Sequence, residues 1–257
     1  MIARRNTRPL IVTTSWDDGH SLDLRLAELL ARHGIRGTFY VPLENGANPT
    51  LDRSQLNSLA AQGMEIGAHT VTHAPLTRLS RARVDAELRD SKMLLEDMVG
   101  RPVGAFCYPR GELSRRVKKR VAAAGYSLAR TTVSLRTGTR FDPMAMPVSL
   151  QARPHSRSVR LRHGLKSANG RGLGSWVLRY RAENDWDTLA LCMFERVINE
   201  GGILHLWGHS WEIERLGLWT NLDTFLGQIG GQPTIQYLTN SETLSAVSRL
   251  WAHPDHS

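Results

Sequence analysis

The chain has 257 residues, of which 41% are hydrophobic and 22% are charged, and this composition excludes a low-complexity or intrinsically disordered protein. The formal net charge of +9 favours anionic partners such as phosphorylated substrates, anionic lipid or nucleic acid, but no recognisable nucleic-acid-binding motif accompanies it. No apolar run is long enough to span a membrane, and the polar N-terminus lacks the apolar region of a secretory signal, so we expect a cytoplasmic protein.

Strand-like and helix-like segments alternate along most of the chain. Short β-rich apolar runs predict strands, and segments with helical periodicity predict the helices between them. Repeated βα units of this kind indicate a parallel sheet, either open or closed into a barrel. The predicted strands are 10–14, 37–42, 64–69, 105–108, 126–132 and 202–207, and the predicted helices are 21–33, 52–62, 80–99, 114–124, 186–200 and 222–229.

Segment 143–182 interrupts this alternation. It contains no Asp or Glu, and several glycines loosen it. In most proteins such a run is a solvated loop or helix face, and the functional alternative is a phosphate-binding cap over a cleft. Residues 252–257 have the composition of a frayed tail. The basic residues of the segment are Arg153, Arg157, Arg160, Arg162, Lys166, Arg171, Arg179 and Arg181.

Two adjacent carboxylates, Asp17 and Asp18, stand where the first predicted strand stops and the first helix has not begun. Taken alone, their Asp-Asp-Gly sequence fits an ordinary turn with a helix cap. Like charges side by side repel, so such a pair usually has a cation nearby or one raised pKa. The carboxyl ends of strands are also where α/β folds carry their chemistry.

Two histidines, His69 and His73, follow the third predicted strand. Imidazoles four residues apart can share one divalent metal ion, although a lone pair of this kind is weak support for a site. A carboxylate from another strand end would complete an open site of two histidines and one carboxylate, with positions left for water and substrate.

Two further strand ends carry candidate residues. The turn 106–111 contains Pro-x-Gly and can expose backbone N–H groups that bind an oxyanion, or it is simply a turn that ends a strand. His209 lies between Trp207 and Trp211, where it fits either a buried structural residue or a proton donor with an apolar wall. His205, inside the last predicted strand, fits a packing role.

In order and spacing, these four segments resemble the motifs of the polysaccharide deacetylases, also called the NodB-homology family or carbohydrate esterase family 4. Segment 15–19 reads Ser-Trp-Asp-Asp-Gly where that family has Thr-Phe-Asp-Asp-Gly, and segment 69–73 meets its His-Ser/Thr-x-x-His motif. Segment 106–111 meets Phe-x-Tyr-Pro-x-Gly, and His209 follows the strand that in the family ends in a catalytic histidine. The resemblance runs from about Leu10 to about Ile229.

The resemblance implies an α/β fold, a distorted (β/α) barrel of about seven parallel strands. It implies a single catalytic domain over residues 1–257, with the basic segment around 143–182 as an insertion or cap. It also implies a metal-dependent amide hydrolase in which Asp18, His69 and His73 bind one divalent metal ion. That ion would be zinc in most members, with cobalt, nickel or iron as alternatives.

The resemblance also assigns roles in the reaction. Asp17 would act as the general base, and the backbone N–H of Arg110 would help to stabilise the tetrahedral oxyanion. His209 would protonate the departing amine, which leaves poorly without a proton. The turn and the last strand end would supply the remaining substrate and oxyanion contacts, namely Tyr108, Gly111, Trp207 and Trp211.

The chain departs from the family's pattern at three positions. Many members carry an arginine in the third motif that holds the catalytic base, and Cys107 stands there in this chain. We expect Arg130, at the end of the next strand, to supply that charge. Arg110 replaces an aromatic residue and would put a cation at the rim of the cleft. The aspartate that often supports the catalytic histidine is not evident near residues 130–135, and Glu212 is the candidate to take its place.

The resulting hypothesis is removal of an N-acetyl group from an amino sugar during cytosolic assembly of a glycan or surface polysaccharide, such as a lipopolysaccharide O-antigen. The substrate would be linked to a nucleotide diphosphate or a polyprenyl diphosphate, and the protein would be cytoplasmic or peripheral at the inner membrane. The alternatives are deformylation or hydrolysis of another amide, and a non-catalytic homologue that keeps the metal and only binds glycan. Specific nucleic-acid binding would rest on charge alone.

Overall fold

The structure is a computed structural model that describes residues 8–46, 49–166 and 169–252. Its strands are β1 Leu10–Asp17, β2 Gly37–Val41, β3 Glu65–Ala68, β4 Ala105–Cys107, β5 Leu128–Arg130, β6 Leu150–Gln151, β7 Gly202–Gly208 and β8 Gln236–Tyr237. Its helices are α1 Asp23–Arg32, α2 Arg53–Ala61, α3 Arg81–Val99, α4 Arg115–Ala123, α5 Arg157–Lys166, α6 Gly170–Leu178, α7 Trp186–Glu200, α8 Ser210–Arg215, α9 Trp219–Ile229 and α10 Asn240–Ala252.

Seven strands form one curled parallel sheet in the order β5-β4-β3-β2-β1-β7-β6. The short strand β8 lies off this path and pairs with β1. The expected fold class, a distorted α/β barrel of about seven parallel strands, is confirmed. Because every strand runs in the same direction, the carboxyl ends of β1, β3, β4 and β7 all reach the same edge, where the candidate residues lie.

An irregular segment from Met146 to Ser149 connects the two outer sides of the sheet. The backbone N–H of Met146 donates to the carbonyl oxygen of Ala129 in β5 at 2.8 Å. The N–H of Ser149 donates to the carbonyl oxygen of His205 in β7, also at 2.8 Å. The curled sheet is thus bridged by backbone that is not a regular strand.

Three of the helices that pack on the sheet, α2, α3 and α4, begin at side-chain caps. Asp52 and Gln55 form a reciprocal capping box at the start of α2, and the Ser80 and Ser114 hydroxyls accept the first free N–H groups of α3 and α4. Gly100 ends α3 with φ +65°, a left-handed conformation that favours glycine. The apolar faces of these helices pack on the sheet and form one continuous core.

The predicted elements are found with shifted ends, and several elements were not predicted. Strand β1 runs three residues beyond the expected Thr14, to Asp17. Segment 143–182 contains β6, α5 and α6, so its first part belongs to the sheet; its role as an insertion or cap stays a prediction. The predicted tail begins at Ala252, which is the last residue of α10, and its remaining part lies outside the described residues. Within the described ranges, no helix combines the length and the apolar character needed to cross a bilayer.

Candidate active site and metal centre

The two adjacent carboxylates separate at the end of β1. Asp17 is the last strand residue, and Asp18 has φ +81°, a conformation that non-glycine residues rarely adopt. Asp17 is buried and pairs with Arg130. Asp18 accepts a hydrogen bond on Oδ2 from the Trp211 indole at 2.9 Å, while its buried Oδ1 has no hydrogen-bond partner among the described residues. The turn therefore gives the two acids different surroundings.

The two histidines present ring nitrogens to that unpartnered oxygen. Nε2 of His73 lies 3.4 Å from Asp18 Oδ1, and Nε2 of His69 lies 3.9 Å from it. Nδ1 of His69 is 2.9 Å from the carbonyl oxygen of Cys107, which can only accept, so Nδ1 carries the proton and Nε2 keeps its lone pair. Burial lowers the pKa of His69 to about 4, which keeps the ring neutral and able to bind a metal.

The loop that carries the histidines is held by Glu87 of α3. The Glu87 carboxylate is buried and accepts hydrogen bonds from the backbone N–H groups of Val71 and Thr72 at 2.8 and 3.0 Å, and from the Thr72 hydroxyl at 2.8 Å. Thr70 and His73 have φ of +69° and +54°, so this loop is in a strained conformation that needs such support. Sequence analysis missed Glu87 because nothing links it to the histidine motif except the fold.

The Asp18, His69 and His73 side chains fit a divalent metal ion. Their ligand atoms lie within 4.8 Å of one another. Two nitrogen or oxygen ligands of a tetrahedral zinc ion are about 3.3 Å apart, close to the separation of His73 and Asp18. The decisive feature is the buried Asp18 Oδ1, because a carboxylate oxygen without a hydrogen-bond donor is costly unless a cation satisfies it.

A second group of potential ligands, Asp17, His69 and Cys107, shares one histidine with the first. This set fits a metal less well. The Asp17 carboxylate is already neutralised by Arg130. Burial raises the pKa of the Cys107 thiol well above its usual value, and the protonated thiol is a poor ligand. The donor chemistry therefore favours the set that contains Asp18.

Asp17 is held as a charged carboxylate by Arg130. The Arg130 guanidinium donates to Asp17 Oδ1, and Cys107 Sγ lies 3.7 Å from Oδ2. Burial by itself would raise the pKa of Asp17, but the charge of Arg130, together with the hydrogen bond that its guanidinium donates, outweighs burial and holds that pKa below its usual value. The contact between Arg130 and Asp17 that the sequence analysis expected is present; a catalytic role for either residue stays a prediction.

The register of the sheet explains how Arg130 reaches this position. Cys107 of β4 and Arg130 of β5 are register partners on neighbouring strands. The position that holds an arginine in many similar proteins is therefore next to the one that holds it here. Arg130 is fully buried, and its guanidinium lies over the rings of Trp207 and Tyr40 at 4.9 and 5.3 Å. Aromatic faces attract a desolvated cation in this geometry.

His209 lies across the site from Asp17, just after β7. Its Nδ1 is 2.7 Å from Glu212 Oε2, so Nδ1 donates and Nε2 faces Asp18 Oδ2 at 3.9 Å. Burial would lower the pKa of His209, but the Glu212 hydrogen bond and the charges of Asp17 and Asp18 raise it above its usual value. Glu212 thus occupies the supporting position that the sequence analysis gave it.

Glu212 is itself held by β6 and the residues that follow it. Gln151 Nε2 donates to Glu212 Oε2 at 2.8 Å, and the Arg153 guanidinium donates to Oε1. Burial would raise the pKa of Glu212, but its contacts with His209, Arg153 and Arg215 keep that pKa below its usual value. Sequence analysis missed Gln151 and did not assign Arg153 to the site, since neither belongs to a recognisable motif.

A cavity of about 830 Å³ opens over these groups. Asp17, Asp18, His69, His73 and His209 all line it. The volume suits a sugar with further groups attached to it. The walls also include four residues from the predicted substrate contacts, namely Arg110, Gly111, Trp207 and Trp211.

The remaining predicted contact, Tyr108, is arranged differently. Its side chain is buried, packs edge-on against Phe106 and donates its hydroxyl proton to the carbonyl oxygen of Met144 at 2.9 Å. The structure therefore does not bring the Tyr108 side chain into the cavity. Gly111 is required by space, because a Cβ there would lie 2.2 Å from the Thr132 hydroxyl oxygen and φ is +66°.

His205 has the packing role that the sequence analysis favoured. Its Nδ1 lies 3.1 Å from the carbonyl oxygen of Pro147, so Nδ1 carries the proton, and Nε2 accepts from the Ser15 hydroxyl at 2.8 Å. Burial lowers its pKa to about 3. A neutral ring with both nitrogens bonded connects β7, β1 and the bridging segment beneath the site.

Comparison with known proteins supports this interpretation. Residues 4–129 match the family model described as polysaccharide deacetylase. The Bacillus subtilis (strain 168) protein YxkH is 28% identical over 123 residues, which cover 47% of this chain and 44% of YxkH. The chain spans less than half of the length of the curated relatives that it matches.

Solved structures of similar fold superpose on nearly the whole chain. A Mycobacterium smegmatis crystal structure superposes with a TM-score of 0.66 over 97% of this chain and 94% of its own, at 14% identity. The chitin deacetylase of Colletotrichum lindemuthianum gives 0.58 over 93% and 88%, at 17% identity. The chain therefore matches the polysaccharide deacetylase family model over residues 4–129, and it shares its fold with these deacetylase structures over nearly its whole length.

Proposed function

We propose that the protein is a metal-dependent hydrolase that removes the N-acetyl group from an amino sugar. The observation that carries the proposal is the buried, unpartnered Asp18 Oδ1 with the Nε2 atoms of His69 and His73 facing it. Two pairs of ionisable side chains flank this group: the Asp17 carboxylate with the Arg130 guanidinium, and the His209 imidazole with the Glu212 carboxylate. A metal site that lies between a general base, Asp17, and a general acid, His209, suits the hydrolysis of an amide.

The proposed chemistry divides between these groups. When bound by Asp18, His69 and His73, a divalent ion would supply Lewis-acid chemistry that activates water and polarises the amide carbonyl. The Asp17 carboxylate takes the proton of the attacking water, and Arg130 keeps that carboxylate charged. The backbone N–H of Arg110 is the proposed protein donor to the developing oxyanion.

The second half of the reaction needs a proton for the leaving nitrogen. His209 donates this proton from Nε2, because its Nδ1 is bonded to Glu212. The raised pKa of His209 supports this role, since it favours the protonated ring that can donate. Asp17 and His209 thus act on opposite sides of the amide, as base and as acid.

The substrate that we propose carries a diphosphate, linked either to a nucleoside or to a polyprenyl chain. Arg110 supports this proposal because its side chain is exposed, lines the cavity and has no ion-pair partner in the described part of the chain. The carboxylate beside it, Glu112, is engaged by Thr77 and Arg78 at 2.8 and 2.9 Å. Arg110 is therefore available for an anionic group of the substrate. Such a substrate belongs to cytosolic assembly of a surface polysaccharide.

The test is a screen of nucleotide-linked, lipid-linked and free N-acetyl and N-formyl amino sugars for release of acetate or formate. It is run with zinc, with cobalt and after chelation. We expect acetate release that chelation abolishes, and a lower KM for diphosphate-linked sugars than for free ones. Asp17→Asn should lose at least 10³-fold in rate, on the order expected for a general base and its charge. The exposed Asp97→Asn serves as the matched control and should keep full activity.

Other outcomes would overturn parts of the proposal. Formate release without acetate release would replace deacetylation by deformylation. Binding of the sugars without release of either acid would indicate a glycan-binding homologue. Equal KM values for diphosphate-linked and free sugars would remove the proposed role of Arg110, while the proposed reaction would stand.

A further inference from the structure

The helices α5 and α6 and the residues up to 182 form a surface unit, here called the basic hairpin. The two helices pack against each other and are joined by a short connection. The hairpin contains no acidic residue. Among its described side chains, Arg157, Arg162 and Arg181 are exposed and have no ion-pair partner in the described ranges. A positive surface without internal neutralisation attracts a polyanion.

The same hairpin exposes large apolar side chains. Leu178 is 83% exposed, Val177 is 49% exposed and Leu161 is 43% exposed. Leu178 is the most exposed large hydrophobic residue in the described part of the chain. Exposed leucine and valine beside unpaired arginines are typical of helices that lie in a membrane interface, where apolar groups enter the acyl boundary and cations contact headgroups. A nucleic acid could contact the arginines through its phosphates, but it has no acyl region in which the exposed leucines could be buried.

The hairpin is anchored at the rim of the cavity. His155, two residues before α5, and Ser134 both line the cavity. The Asn169 side chain caps the start of α6 and donates to the carbonyl oxygen of Ser134 at 2.6 Å. On the inner side, Trp176 is buried and its indole donates to the carbonyl oxygen of Glu183 at 2.8 Å. The unit is therefore fixed to the protein next to the cavity, while Arg157, Arg162 and Arg181 and the side chains of Leu161, Val177 and Leu178 are exposed.

We propose that the basic hairpin docks the protein on the surface of an anionic lipid bilayer, with the cavity beside the headgroups. The arginines supply attraction to anionic lipid, and the exposed Leu161, Val177 and Leu178 supply insertion into the interface. The inference rests on the surface alone and not on the proposed reaction. Lipid binding and catalysis can therefore fail independently.

The test is flotation of the full chain with vesicles, with bound protein measured across lipid concentration. The vesicles contain phosphatidylcholine alone, or phosphatidylcholine with about one third phosphatidylglycerol. We expect binding to the anionic vesicles that weakens with added salt. Arg157→Gln with Arg162→Gln should weaken that binding by about tenfold or more, from the contribution of each cation at an anionic surface. Leu178→Ser should weaken it at high salt as well as at low salt.

Matched controls separate the hairpin from the total charge. Arg115→Gln with Lys119→Gln removes the same charge from the exposed side of α4, and Met93→Ser removes an exposed apolar side chain from α3. Both should bind vesicles like the unchanged protein. Equal loss in the α4 variant, equal binding to both vesicle types, or no effect of Leu178→Ser would overturn the proposal. Preferential binding to a random DNA duplex over anionic vesicles would overturn it in favour of nucleic acid.

Discussion

The site contains two ionisable groups, Asp17 and His209, that are each paired with a residue of opposite charge but differ in their surroundings. Asp17 and Arg130 are both buried, and the pair lies among β1, β4 and β5 with aromatic rings on either side. His209 and Glu212 lie at the more open side of the cavity, where Glu212 also receives contacts from Gln151, Arg153 and Arg215. The first pair is a buried ion pair, and the second is part of a wider network whose arginines are more exposed.

The difference shows how one site can keep a base charged and an acid protonated. A cation fixed against Asp17 lowers the pKa of that acid, and a carboxylate fixed against His209 raises the pKa of that ring. Burial opposes both shifts, so each group depends on its partner. Loss of Arg130 should affect both folding and activity, because it is the only cation paired with Asp17 among the described residues. Loss of the Glu212 charge should mainly affect activity, because His209 is the more exposed member of that pair.

The largest effect is expected from Arg130→Gln. It leaves the Asp17 carboxylate buried without its cation, which costs about 3–5 kcal/mol in the free energy of unfolding, and it should reduce acetate release by about 100-fold or more. Denaturant unfolding and acetate release measure the two effects. Arg179→Gln, which breaks an exposed pair with Glu200, is the control and should change stability by less than about 1 kcal/mol.

The same variant offers an internal check. If Arg130 acts on stability through Asp17, then Asp17→Asn combined with Arg130→Gln should be less destabilised than Arg130→Gln alone, because the uncompensated charge is gone. An additive double variant would show that Arg130 stabilises the fold through its aromatic contacts instead.

A smaller effect is expected from Glu212→Gln. The protein should fold normally, and kcat/KM at its optimum should fall by about 10-fold because His209 loses its orienting partner. In the proposed reaction His209 acts in its protonated form, so we expect activity to be lost as pH rises through its pKa. Removal of the carboxylate lowers that pKa, and the alkaline limb of the pH profile of kcat/KM should move to lower pH. A limb that stays in place would assign the proton donor to another group.

The register of β4 and β5 allows the buried pair to be rebuilt. Cys107→Arg in an Arg130→Ser background returns an arginine to the neighbouring position on β4. We expect recovery of about 10-fold in acetate release over Arg130→Ser alone, with incomplete recovery because the new side chain must fit a fully packed position. Cys107→Lys in the same background supplies charge without the planar fork and should recover less.

The smallest effect is expected at Glu87, a third buried carboxylate, which accepts hydrogen bonds from two backbone N–H groups and the Thr72 hydroxyl. Glu87→Gln keeps the shape of the side chain but weakens its bonds to Val71 and Thr72. The histidine loop should loosen, and zinc affinity measured by competition with a chelator should fall by about 10-fold or less. Unchanged affinity would mean that the rest of the loop holds its shape without Glu87.

The sequence was informative where chemistry is concentrated in short segments. The alternation of elements and the four motifs predicted the parallel sheet and brought Asp17, Asp18, His69 and His73 to one edge of it. The pairing of Arg130 with Asp17 was also predicted, because the resemblance implies an arginine beside the base, Cys107 stands at its usual position, and the next strand end offered Arg130. These predictions succeeded because parallel strands align their carboxyl ends regardless of the loops between them.

The rest could not be predicted because it depends on tertiary packing. The motif sequence gives no sign that Glu87 of α3 reaches the histidine loop, or that Gln151 and Arg153 reach Glu212. Tyr108 was expected in the cavity from its motif, yet its side chain packs inside beside Phe106. The helices α5 and α6 were not predicted, because a glycine-containing, acid-free segment carries weak helical signals.

The central claim is that Asp18, His69 and His73 bind the metal, and the most direct test is metal binding without turnover. Zinc bound per chain is measured for the unchanged protein and for His73→Gln, Asp18→Asn and Cys107→Ser after dialysis against trace zinc. We expect one zinc ion per chain in the unchanged protein and in Cys107→Ser, and loss of that ion in the other two variants. Retention of zinc in His73→Gln together with its loss in Cys107→Ser would contradict the account and assign the metal to Asp17, His69 and Cys107.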